Sequence, residues 1–122
     1  RLSSVMQTAM FPQRDESSLA SGLEQVEEII EAFDAVTIDS SSLFHNPSLR
    51  VLLGWRSCAR LARLSLIQAR ARTATLGNHR RSDHLADSSL PHHIITRSTS
   101  ETSTLDVWNG PKNRWLVPLP TE

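Results

Sequence analysis

The run from Asn46 to Arg72, NPSLRVLLGWRSCARLARLSLIQARAR, decides how this chain is read. Asn46 offers a side-chain oxygen to an exposed helical N–H, and Pro47 suits the first helical position, where its missing N–H costs nothing. After Pro47 the run has no further proline and a single glycine, Gly54, before Gly77-Asn78 supplies a stop signal. The spacing predicts one helix over 47–73. On a helical projection at about 100° per residue, Arg56, Arg60, Arg63 and Arg70 share a narrow stripe. Val51, Leu53, Trp55, Cys58, Ala59, Leu61, Ala62, Leu64 and Leu66 fill most of the remaining girth. A helix that is apolar around most of its circumference needs burial on several sides.

Upstream lies its electrostatic opposite. From Asp15 to Asp39 there are eight acidic residues and no basic one, and from Pro47 to Arg81 eight basic residues and no acidic one. The formal net charge of zero therefore conceals two segments of opposite sign, a pattern that points to electrostatic pairing within the chain or with a partner. Leu19, Leu23, Val26, Ile30 and Phe33 recur at helical spacing, with Glu24, Glu27, Glu28 and Glu31 on the other side, which predicts an amphipathic helix over about 17–36. Ser21 with Glu24 forms a capping-box pattern, and Ser17 or Ser18 offers an earlier start. The serine-rich connection from Thr37 to Asn46 is long enough for an antiparallel turn. If the apolar faces meet, the opposite charges meet only along the flanks.

The expected fold is mainly α: a two-helix hairpin over 17–77, an N-terminal extension over 1–16 and a long, largely irregular polar extension over 78–122. Thr96 to Thr104 is almost wholly Ser and Thr, a composition too polar to order itself alone. Near 105–117, Val107-Trp108 and Trp115-Leu116-Val117 flank Asn109-Gly110-Pro111, a turn signal, so that either a small hairpin or an extended tail anchored by two tryptophans fits there. Aromatics make up 5% of the chain, with no tyrosine, which argues against a compact all-β domain.

Several function classes find little support. No apolar run approaches the roughly 18–20 residues that span a bilayer, because Arg50, Arg56, Arg60 and Arg63 interrupt the candidate. The single cysteine, Cys58, excludes an internal disulfide framework. Mid-helix and among apolar neighbours, it reads as a packing cysteine rather than a nucleophile. His79, His84, His92 and His93 with Asp83 and Asp87 are the right residue types for a metal. Only His79 and His84 approach ligand spacing, and the other half of a zinc site is missing. Neither G-x-S-x-G nor a glycine-rich phosphate loop occurs. The expectation is accordingly no catalytic residue, no metal and no cofactor. The chain starts at Arg1 and shows no readable leader, so its compartment stays open, with an intracellular one favoured and an organellar one compatible.

What remains is binding. These features predict a non-catalytic interaction or accessory subunit, not itself an enzyme, that docks through the basic helix on a protein partner or a second copy. Leu53, Trp55, Leu61 and Leu64 are the expected anchors, and Arg56, Arg60, Arg63 and Arg70 the expected partners of carboxylates or phosphates. The alternative is an RNA-contacting protein using the same arginine stripe, although Trp55 alone makes no stacking platform.

Overall fold

The computed structural model describes residues 1–39, 42–73, 75, 77–84, 93–98 and 103–108, the last two segments as backbone only. Helices dominate, as the charge and hydropathy patterns require. α1 spans Leu2–Ala9, α2 spans Glu16–Asp34 and α3 spans Pro47–Ala71.

The beginning of α3 follows its sequence signal. Asn46 Oδ1 accepts from the Leu49 N–H at 2.9 Å, and Pro47 opens the helix. The helix ends before Gly77, at an extended Arg72. Gly77, with φ +60°, instead makes a left-handed turn six residues beyond the helix, a conformation that suits glycine. α2 begins earlier than its serines suggested. Asp15 is the N-cap: its carboxylate accepts from the Ser18 N–H at 2.7 Å, while Ser18 Oγ accepts from the Asp15 N–H at 3.2 Å. An aspartate in that place also complements the positive end of the helix dipole. The capping box thus uses Asp15 and Ser18, not Ser21 and Glu24.

The N-terminal extension contains a helix of its own. Leu2, Val5, Met6 and Ala9 recur at spacings of three, one and three, enough for an eight-residue helix whose Val5 and Ala9 are buried. α1 packs on α2 and also reaches α3, so it adds a third helix to the predicted hairpin.

The core is a seam among the helices. It comprises Val5 and Ala9 of α1, Leu19, Val26 and Ile29 of α2, and Ala59, Ala62, Leu66 and Ala69 of α3. α3 thus turns mostly alanine inward, which lets its backbone come close to α2. The seam is thin. Leu19, Leu66 and Val26 are its largest fully buried side chains, and burial of such a side chain stabilises by roughly 1.5–3 kcal/mol.

Two small ribbons complete the described structure. β1 (Gln13–Arg14) pairs in parallel with β2 (Arg80–Arg81), in the register Gln13↔Arg80 and Arg14↔Arg81. β3 (His93–Ser98) pairs antiparallel with β4 (Ser103–Trp108), from His93↔Trp108 to Ser98↔Ser103, and β3 lies against α3. The hairpin therefore forms upstream of Asn109-Gly110-Pro111; residues 109–117, where the sequence placed its turn and second arm, lie outside the described residues. The 78–122 extension is not wholly irregular, since it supplies β2, β3 and β4. Among the described residues no helix is long and apolar enough to cross a membrane.

Candidate interaction site

The acidic and basic helices meet along one flank. Arg56 pairs with Asp34, Arg63 Nε donates to Glu27 Oε1 at 3.0 Å, and Arg70 Nε donates to Glu16 Oε1 at 2.8 Å. These contacts run in opposite directions along the two helices, as an antiparallel pair demands. The arginines step by seven residues, close to two helical turns, which keeps them on one side of α3. All three pairs are partly exposed. Arg56, Arg63 and Arg70, expected to reach a partner, are thus engaged within the chain. Arg60 makes no ion pair among the described residues.

A second charged group ties the end of α3 to the start of α2. Arg81 is only 4% exposed. Its Nε and Nη2 donate to the two oxygens of Asp83 at 2.8 and 2.7 Å, and Nη2 also reaches Glu16 Oε2 at 3.3 Å. Nη1 donates to the Ala69 and Arg70 carbonyls at 3.3 and 3.1 Å. Asp83 Oδ2 in turn accepts from the Glu16 N–H at 2.8 Å. A cation therefore sits at the negative end of α3 and a carboxylate at the positive end of α2, which satisfies orphan backbone groups of both helices. The Arg81 hydrogen bonds, with the Glu16 N–H, hold the Asp83 carboxyl far below the usual carboxylate range. By residue type Asp83 belongs with the candidate metal ligands and Arg81 with the basic segment; here each is the other's partner. The alternation of charge in Arg81-Ser82-Asp83 was the available signal.

The other histidine chemistry is correspondingly reduced. His79 Nε2 is hydrogen-bonded to the Arg72 carbonyl at 2.9 Å, and burial, with the charges of Arg14, Arg72 and Arg81, pushes its pKa down. No group of three metal-ligating side chains occurs among the described residues; Asp87 and His92 lie outside them, as does the side chain of His93. Cys58, expected inside, is exposed.

The side of α3 turned away from α2 carries Leu53 and Leu61, 51% and 63% exposed, with Leu64 half-buried. No acidic residue lies anywhere on that helix. Trp55, 52% exposed, sits toward the other side. There it helps line an open apolar groove of about 410 Å³ with Leu2, Ile29, Ala32, Phe33 and Val36, next to Arg1. The four predicted anchors are thus divided between an outer face (Leu53, Leu61, Leu64) and a groove (Trp55).

Fold and site together define a small helical bundle that leaves Leu53 and Leu61 exposed on the outer side of α3. A family model, described as fumarate reductase flavoprotein C-term, matches residues 1–112, and the chain belongs to this family. No curated protein and no solved structure matches the chain significantly. Membership corrects the expectation of a non-catalytic accessory subunit, and with it the RNA-contacting alternative, because the family is part of an enzyme's flavoprotein. Nothing in charge segregation or amphipathicity distinguishes a docking helix of a catalytic subunit from that of an accessory one.

A flavoprotein implies a flavin, and the described residues do not fit one. A dinucleotide needs backbone N–H groups presented by a glycine-rich turn at a free helix N-terminus. At Gly22 a Cβ would overlap Ala9, so this glycine serves helix packing; Gly54 lies inside α3, and Gly77 serves the turn before β2. The N-terminus of α2 already faces the carboxylates of Asp15 and Asp83, which would repel a phosphate. That of α3 is capped by Asn46 and begins with a proline.

Proposed function

We propose that this chain is the C-terminal helical unit of a flavoprotein oxidoreductase of the fumarate reductase type, and that it seats on the flavin-bearing part of that enzyme. The family match over residues 1–112 carries the reading. In it, the oxidation or reduction of a dicarboxylate belongs to the whole flavoprotein. Leu53, Leu61 and Leu64 form the seat, with Arg60 at its edge for a carboxylate of the facing surface. The exposure of Leu53 and Leu61 supports this, because large apolar side chains without acidic neighbours gain from being covered. Trp55 and its groove offer a second apolar contact. Arg56, Arg63 and Arg70 contribute by holding α3 against α2 in a fixed orientation.

Purification of the native protein through an antibody to this chain tests the proposal. The expected product carries flavin, seen by its visible absorbance and fluorescence, and oxidises a reduced dye only when fumarate is added. Flavin-free protein without fumarate-dependent oxidation would overturn it.

A further inference from the structure

We infer that Arg14 anchors a binding site for a small carboxylate anion, bordered by His79 and Arg72. Arg14 is 8% exposed, and its Nε is buried without a hydrogen-bond acceptor. Its other contacts are weak for a cation: Nη1 lies 3.5 Å from the Met10 sulfur, and Nη2 donates to the Asn78 carbonyl at 3.2 Å. No carboxylate pairs with it among the described residues. A guanidinium cannot escape this burial by releasing its proton, and a buried charge is stable only when it is paired.

The residue beside it shows which partner fits. Arg81 is the register mate of Arg14 across the β1–β2 ribbon, and its Nε and Nη2 take both oxygens of the Asp83 carboxylate. Arg14 presents the same planar fork, which suits a carboxylate held by two parallel hydrogen bonds. Glu16 and Asp83 are already committed to Arg81 and do not neutralise Arg14. The charges acting on His79 are all positive: Arg14 from β1, Arg72 from the end of α3 and Arg81 from β2. Among the described residues an anion is the component that such a neighbourhood lacks. The inference stands on this geometry and is independent of the family reading.

Titration of the 122-residue chain with acetate, succinate, phosphate and chloride at fixed ionic strength provides the test, followed by calorimetry and by the NMR signals of the His79 ring. Acetate and succinate are expected to bind saturably and to raise the His79 pKa, because a nearby anion favours the imidazolium. Arg14→Gln should abolish both effects. Arg14→Lys, which keeps the charge and loses the fork, should weaken binding about ten-fold or more. Arg80→Gln, on the exposed neighbour, should leave binding unchanged. If Arg14→Gln fails to fold by circular dichroism, Arg14→Lys alone decides. Equal responses to chloride, saturable binding of phosphate but not of carboxylates, or unaltered binding in Arg14→Lys would each overturn the proposal.

Discussion

Ala9 of α1 and Gly22 of α2 meet where the two helices cross so closely that a Cβ on Gly22 would overlap the Cβ of Ala9. Gly22→Ala gains helix propensity, about 1 kcal/mol, but must push α1 away at a cost of about 1–3 kcal/mol. A net loss of up to about 2 kcal/mol in urea unfolding is expected. A stabilised Gly22→Ala protein would show that α1 is not seated at this crossing.

The two kinds of ion pair should respond differently to substitution. A double-mutant cycle on Arg63 and Glu27, both partly exposed, should give a coupling of about 0.2–1 kcal/mol that shrinks as salt is added. Arg81→Ala removes a buried cation that caps α3 and grips Asp83, and roughly 3 kcal/mol should be lost, with weak dependence on salt. Equal losses at the two places would contradict the burial difference between them.

Acid should weaken the fold in two windows. The folded-state pKa of His79 is lowered, so the unfolded chain binds the proton more readily. Stability from this group is complete above the unfolded pKa near 6.5 and declines as pH falls from there toward the folded value. The Asp83 carboxyl is also depressed, so its contribution is present above the unfolded value near 3.9 and disappears on further acidification through the folded pKa. His79→Gln should flatten the first slope and Asp83→Asn the second, in urea melts taken across the pH range.

Leu61→Glu separates seating from folding. At 63% exposure, Leu61 contributes little to the chain's own core, and its replacement should change unfolding free energy by no more than about 0.5 kcal/mol. The same substitution should lower the flavin content and fumarate-dependent activity of the protein recovered from cells. Loss of stability without loss of flavin would reverse that assignment.

Much of this architecture is written locally. Asn46-Pro47 marks the start of α3, and the apolar period marks α2, because caps and periodicity depend on neighbours in sequence. What escaped recognition depends on distant partners. α1 is only eight residues long, and its Leu2, Val5, Met6 and Ala9 pattern becomes meaningful against α2. β1 and β2 have two residues each, too few for any period, and pair across the whole helical unit. The arginine stripe was visible, but its destination was not: a projection places Arg56, Arg63 and Arg70 on one side without saying that Asp34, Glu27 and Glu16 stand opposite. Likewise, nothing in the spacing of Leu53, Leu61 and Leu64 marked them as the outer side while Ala59, Ala62 and Ala69 took the core.

The β1–β2 ribbon gives the molecule a clasp. Because it joins Arg14 to Arg81, segments on either side of both long helices, it closes a loop that contains both of them. Arg14 and Arg81 owe their buried surroundings to elements at both ends of that loop, so a chain cut short before β2 lacks the anion-holding corner altogether. Occupancy of that corner is therefore a signature of completed folding, legible from outside without any unfolding experiment.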